Sequence, residues 1–214
     1  MGGAGTRRFV RRSAGPGAGS GASPGARSGR RTKRPPRRRA APAPRHAHAT
    51  PAPRPVGCAV LTVSDTRSRR NDPGGDRLVR LIERAGNRVA WRSWAADDVR
   101  AIRAAARAAL AHRRVDALIA TGGTGMAPRD VTPEALAPLC ERPFPGFGEL
   151  FRMISRADIG SAAWLSRAGA GVARGKLVFW LPGSPAGASL AMRELLLPEL
   201  GHALRLLGRI PDKE

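Results

Sequence analysis

The sequence predicts an α/β domain, a three-layer sandwich in which helices cover both faces of a mostly parallel central sheet. Three observations predict it. Four short apolar runs, at residues 56–64, 88–94, 115–121 and 176–181, alternate with segments whose apolar residues recur at helical spacing. The runs are apolar on both faces, as strands between two helix layers are. They end in polar or glycine-rich turns, where a parallel strand gives way to a helix.

The elements follow in order. Residues 56–64 (VGCAVLTVS) are rich in β-branched residues and end polar, as a buried strand does. Residues 77–85 place Leu78, Leu81, Ile82 and Ala85 on one helical face, and Gly86-Asn87 stops the helix. Residues 88–94 form a second strand. Residues 98–112 form a long helix with Ile102, Ala105, Ala106, Ala109 and Leu110 on one side and Asp98 at its positive end. The third strand, 115–121, runs into Gly122-Gly123-Thr124-Gly125. Thr132-Pro133-Glu134 then opens a helix, with Thr132 expected as N-cap and Pro133 at the first position. Residues 147–154 are expected to be helical. Residues 176–181 (KLVFWL) make a fourth strand closed by Pro182-Gly183-Ser184, and residues 188–207 make one or two helices interrupted near Pro198.

Charge divides the chain. Its 214 residues carry 38 Lys and Arg against 16 Asp and Glu, a net charge of +22. Residues 1–55 hold 14 of the basic residues and no acid, which leaves a balance of +8 for the remainder. That segment is Gly, Ala, Pro, Ser and Arg, too poor in apolar side chains to offset the entropy of ordering, and is expected to be a disordered basic tail. Residues 56–209 are expected to form the domain and 210–214 a C-terminal end. The run RRTKRPPRRR at 30–39 suits weak nucleic-acid contact through phosphates. A transit peptide lacks its amphipathic helix here, and a twin-arginine signal lacks its apolar stretch. A solvated tail is the plainest account. No run of 18 apolar residues crosses a membrane, and Cys58 and Cys140 are two lone thiols, so a cytoplasmic protein is expected. The four histidines fall at no metal-ligand spacing; His46 and His48 lie in the tail.

Parallel sheets bind ligands at the carboxyl ends of their strands, which points to four loops. Thr121 to Gly125 follows a strand directly, so backbone N–H groups of Gly122, Gly123 and Gly125 can approach a phosphate and the hydroxyls of Thr121 and Thr124 add donors. Arg129 can meet phosphate, and Asp130 can hold Mg²⁺ or simply favour a helix N-terminus. Gly183-Ser184 is a second strand-to-helix turn with a hydroxyl. Asp98 reads as a helix-start residue, leaving Asp97 freer to face the cleft, while Ser64 and Asp65 end the first strand. Carboxylates and backbone donors around one cleft suit Mg-assisted phosphoryl or nucleotidyl transfer. Trp91, Trp94, Trp164 and Trp180 read as core or subunit-interface anchors.

The segments LTVSDTRS (61–68), ATGGTGMAPRDVTPEAL (120–136), PGFGELFRMIS (145–155) and LPGSPAG (181–187) resemble the molybdopterin adenylyltransferase family of MogA and MoaB. FRMIS followed by IGSAAWLSRAGAGV is closer to the MoaB branch. The likeness spans residues 56–209. It implies a three-layer α/β domain assembled as a homotrimer or homohexamer, with molybdopterin and ATP as substrates, Mg²⁺ as cofactor and adenylyl-molybdopterin as product. It implies Asp97 and Asp130 as the catalytic carboxylates and Mg²⁺ ligands. It also implies Ser64, Asp65, Thr121, Gly122, Gly123, Thr124, Gly125, Arg129, Gly183 and Ser184 as binding residues. Arg129, Asp130, Thr132 and Glu134 match the pattern of active members, whereas Ala96 stands where the family has proline before Asp97. Three other readings stay open: a molybdopterin carrier without turnover, a nucleic-acid-associated protein, and a hydrolase of pyrophosphate-containing nucleotides.

Overall fold

A computed structural model describes residues 54–211. Six strands form one sheet among these residues: β1 (Gly57–Val63), β2 (Arg88–Ala95), β3 (Ala117–Thr121), β4 (Arg142–Pro143), β5 (Gly169–Ala173) and β6 (Lys176–Leu181), in the spatial order β2-β1-β3-β6-β5-β4. The first four in that order are parallel; β5 runs antiparallel to β6 and β4 to β5. The three-layer α/β architecture expected from sequence is the one observed.

Alternation along the strands builds two cores. Cys58, Val60, Ile119, Phe179 and Leu181 face one side, against Leu78 and Ile82 of α1 (Pro73–Arg84), α5 (Pro185–Ala191) and α6 (Leu197–Leu206). Ala59, Leu61, Leu118, Ala120 and Val178 face the other, against Ile102, Ala106 and Ala109 of α2 (Val99–Ala111) and Leu136 of α3 (Thr132–Leu136). Each fully buried Leu or Ile contributes roughly 1.5–3 kcal/mol of transfer free energy. α4 (Pro145–Ile159) packs beyond β5, with Phe151 buried beneath it.

Helix starts follow their side chains. Asp98 caps α2, accepting from Ala101 N at 2.8 Å. Asp72 caps α1, accepting from Gly75 N at 2.8 Å with Pro73 behind it, so this helix begins four residues earlier than its apolar spacing indicates. Thr132 is not the N-cap of α3. Val131 takes that place, and the Thr132 hydroxyl donates to Gly122 O at 2.8 Å. A π-helical turn, Met192–Leu196, marks the expected interruption ahead of Pro198. Strands β4 and β5 lie outside the sequence expectation. β5 is GAGVA, lacking the β-branched run that marks a strand, and its Gly169 lies under the Trp180 ring, 2.5 Å from where a Cβ would stand. Arg174 (φ 53°) and Gly175 (φ 65°) make the two-residue hairpin to β6.

At the amino ends of the strands Asp116 is buried and collects donors. Arg54 reaches it through both terminal nitrogens at 2.8 and 3.1 Å, Gly57 N at 2.9 Å and Arg209 at 3.3 Å. Burial alone would raise its carboxyl; the Arg54 and Gly57 hydrogen bonds and the two guanidinium charges outweigh that and hold it below the usual carboxylate range. Residues 1–53 of the expected tail, with His46, His48 and the run at 30–39, lie outside the described residues, as do 212–214. Both cysteines are free. Burial pushes the Cys58 thiol up to about 12 and Cys140 up to about 11, so neither is a reactive thiolate. No helix among the described residues is long and apolar enough to cross a membrane.

At the other end, Gly122 has φ 106°, and a Cβ there would overlap the Val63 carbonyl oxygen. Gly122→Ala should therefore cost more than about 2 kcal/mol, read by urea unfolding. A depressed carboxyl stabilises the fold above its unfolded value, near pH 4, and loses that contribution as pH falls through its folded value. Asp116→Asn should lower stability by about 1–3 kcal/mol at pH 7 and flatten the decline between about pH 5 and 3, measured by tryptophan fluorescence in urea.

Candidate functional site

The carboxyl ends of β1, β2, β3 and β6 converge. Ser64 N donates to Ala95 O at 2.9 Å, tying the β1 end to the β2 end. Beyond it, Asp65 N donates to Asp97 Oδ2 at 3.2 Å and Asp97 N to Asp65 Oδ1 at 3.0 Å, a reciprocal stitch between two loops. Gly122 N donates to Leu181 O at 3.2 Å and Thr121 Oγ1 to Pro182 O at 2.8 Å, tying β3 to β6. Thr132 N donates to Gly123 O at 2.9 Å, folding the glycine loop back onto α3. Ser184 caps α5, accepting from Gly187 N at 3.2 Å.

Two cavities open between these loops. A polar one of about 230 Å³ is lined by Ser64, Asp97, Thr121, Gly122, Gly123, Arg129, Asp130 and Gly183, together with Thr62, Arg67, Asp72 and Gly74. A mostly apolar one of about 330 Å³ is lined by Thr124, Gly125, Gly183 and Ser184, together with Phe151, Ser155, Asp158, Leu165 and Leu190. Gly183 borders both. The structure thus brings together eight of the residues singled out from sequence in the first cavity and places Thr124, Gly125 and Ser184 in the second. Asp65 lines neither and acts on Asp97 from behind. Asp98 is committed to the helix cap, which leaves Asp97 as the carboxylate of that loop in the cavity.

Electrostatics single out Asp97. Partial burial and the neighbouring Asp65 carboxylate raise its pKa above the ordinary value, with Asp130 adding to the rise; the Asp65 amide and the Arg129 charge oppose it. A carboxylate crowded by two others favours a cation nearby. Among the described residues no group of three or more His, Cys, Asp or Glu is arranged to hold a metal by itself. The donor set, two carboxylates beside backbone amides and two arginines, fits Mg²⁺, which takes one or two carboxylates and completes its shell with water and ligand phosphates.

Three features were absent from the sequence reading. Asp72 accepts from Thr62 Oγ1 at 2.6 Å, Trp94 Nε1 at 3.0 Å and Arg92 at 3.1 Å as well as from Gly75 N. Burial opposes its ionisation, but those donors hold its carboxyl below the usual range. Its acceptor capacity is nearly spent, so it anchors the wall of the polar cavity and the start of α1. The Asp72-Pro73 pair, a cap followed by proline, was the available signal. The apolar compartment was missed because Phe151, Ser155 and Asp158 meet the loops only through the packing of α4. Arg167, before β5, reaches back to the glycine loop and to Glu134. Of the tryptophans, Trp180 is in the core, Trp91 and Trp94 are half-buried, and Trp164 is 67% exposed.

The chain is similar to known proteins over its described residues. Residues 59–202 match the family model described as "Probable molybdopterin binding domain". The chain is 45% identical over 159 residues to molybdenum cofactor biosynthesis protein B of Bacillus subtilis (strain 168), covering 74% of this chain and 94% of that protein. A crystal structure of a molybdenum cofactor biosynthesis protein B superposes with a TM-score of 0.72 at 44% identity, covering 74% of this chain and 99% of the other. The molybdopterin biosynthesis enzyme MoaB of Thermus thermophilus superposes with a TM-score of 0.65 at 36% identity, covering 74% and 99%. The chain belongs to the MoaB/MogA family of molybdenum cofactor biosynthesis proteins, built on the molybdopterin-binding domain.

Proposed function

We propose that this protein acts in molybdenum cofactor biosynthesis by binding molybdopterin and adenylylating it with Mg-ATP, releasing pyrophosphate. The observation that carries the reading is the pair of cavities bordered by Gly183, one polar with Asp97 and Asp130, the other mostly apolar. The apolar cavity suits a pterin ring, with Thr124, Ser155, Asp158, Ser166 and Ser184 as its polar groups. Its phosphate then lies toward the Ser184 and Gly183 turn, and the nucleotide phosphates lie over the amides of Gly122 and Gly123. Asp97 and Asp130 would hold Mg²⁺, which supplies charge neutralisation on the pyrophosphate leaving group.

This chain contributes binding and alignment more than proton chemistry. An oxygen of the pterin phosphate attacks the α-phosphorus of ATP; the bond to the pyrophosphate oxygen breaks, and a phosphoanhydride forms. The attacking phosphate is already anionic near neutral pH, since its second pKa is about 6, so no general base is needed. Arg67 and Arg129 line the polar cavity and offset the phosphate charge. We further propose self-association, supported by the exposed apolar side chains of Met153 and Trp164, 64 and 67% exposed, which a second copy would cover, and a cytoplasmic location, in keeping with two free thiols.

The deciding experiment incubates the protein with molybdopterin, ATP and Mg²⁺ and follows pyrophosphate and adenylyl-molybdopterin. Wild type should turn over, and Asp97→Asn and Asp130→Asn should each lose about 10²–10³-fold in rate while retaining pterin binding. Pterin binding by wild type without pyrophosphate release would leave a carrier and refute the transfer. In the metal-free protein the Asp97 carboxyl should titrate above its ordinary value. Asp65→Asn removes a like charge and should lower that titration, whereas Arg129→Ala removes an opposing charge and should raise it, as read by NMR titration of the carboxyl without Mg²⁺.

A further inference from the structure

We propose that Arg167 is a positioning residue: it locks the loop carrying Arg129 and Asp130 in the shape that receives the magnesium-nucleotide, without touching substrate. The proposal rests on the adenylyl-transfer reading of the same site. Residues 124–130 form neither strand nor helix. Inside this stretch a local turn closes on itself, with Asp130 N donating to Ala127 O at 2.8 Å and Ala127 N to Asp130 Oδ2 at 2.9 Å. That turn sets the Asp130 carboxylate relative to its own loop but not relative to the sheet.

Among the described residues, the hydrogen bonds that join 124–130 to the rest of the protein all come from Arg167. Its backbone N–H donates to Thr124 O at 3.1 Å, its Nε to Gly125 O at 2.9 Å, and one terminal nitrogen to Asp130 O. The other terminal nitrogen pairs with the Glu134 carboxylate on α3. Arg167 is itself held: its carbonyl accepts from Trp180 Nε1 at 2.9 Å, and Trp180 is a buried residue of β6. One planar guanidinium therefore spans both feet of the loop and references them to the sheet. The five fixed donors of arginine permit this, and the point charge of lysine cannot reproduce it.

The side chain stands outside the reaction space. Arg167 does not line the polar cavity; it lines a separate groove on the outer side, with Pro133, Trp164 and Ser166. Its effect on nucleotide must pass through the Gly125 and Asp130 carbonyls to the Asp130 side chain. Loss of the clamp should thus loosen the cation-nucleotide half of the site most, through Asp130, while Thr124 and Gly125 carry a smaller effect to the rim of the apolar cavity.

The test uses the full chain, with Arg167→Met, Arg167→Ala, Arg167→Lys and Glu134→Gln beside wild type. Amide hydrogen exchange should rise at least about tenfold in residues 124–131 of Arg167→Met and stay unchanged in α1, α2 and α6. The Mg²⁺ concentration for half-maximal transfer should rise by about tenfold or more, a larger change than any in molybdopterin affinity. Added methylguanidinium should recover part of the loss in Arg167→Ala, where the space is vacated, and Arg167→Lys should not restore loop protection. Unchanged exchange at 124–131, or a rise spread equally over the whole domain, overturns the proposal; if Arg167→Met does not fold, Arg167→Lys and Glu134→Gln carry the same exchange reading. A wild type that binds pterin without turnover would refute adenylyl transfer while the exchange arm still decides whether Arg167 clamps the loop.

Discussion

Gly122 sits where a side chain has no room. Its φ of 106° and its contact with the Val63 carbonyl let the β3 end close on the β1 end, and a Cβ on Gly183 would stand only 3.3 Å from its Cα on the β6 side. The backbones of three neighbouring strand ends thus meet with almost nothing between them. The rest of the site follows from that contact. Thr132 reaches the Gly122 carbonyl because the loop is folded tightly back, Asp97 lies near the Gly123 backbone, and Gly183 borders two cavities at once. Side chains longer than hydrogen at these points would part the strands and merge or fill the compartments.

The two ends of the sheet solve opposite electrostatic problems. At the amino ends one buried carboxylate, Asp116, is over-supplied with cations and stays ionised. At the carboxyl ends Asp97 is under-supplied: Asp65 and Asp130 press on it, and Arg129 only partly compensates. The first arrangement holds structure and the second leaves room for an incoming cation. Asp72 is an intermediate case, lining the polar cavity yet saturated by donors from β1, β2 and α1. Carboxylates near a pocket differ in availability, and the count of donors already facing each one separates them.

Local signals were legible and long-range ones were not. The strands β1, β3 and β6 show as apolar runs because both their faces are buried, whereas β2, at the sheet edge, is half-buried along most of its length. Asp98 reads correctly as a cap because capping depends on residues three apart, and that leaves Asp97 for the cavity. Thr132 satisfies the same local rule and breaks it, since a carbonyl ten residues earlier competes for its hydroxyl. β5 carries only small residues because the Trp180 ring and the Cys140 side chain press on its glycines, so propensity is silent there. The Arg167 side chain meets its partners 33 to 42 residues away in sequence, across two helices and a short strand, and no spacing rule reaches that far.

Asp116 also marks a seam. Arg54 and Arg209 lie 155 residues apart in the chain, yet Arg54 donates to the Arg209 carbonyl at 3.5 Å and both guanidiniums share one carboxylate. Between Arg54 and Arg209 the path of the described polypeptide is therefore nearly a closed ring, pinned where it almost joins. That junction lies one length of β1 from the glycine loop, seven residues or roughly 20 Å. In a chain trimmed to residues 54–211, bridging the gap with a short peptide and reopening the ring at the Arg174-Gly175 hairpin would rearrange the order of synthesis while keeping every strand neighbour in place.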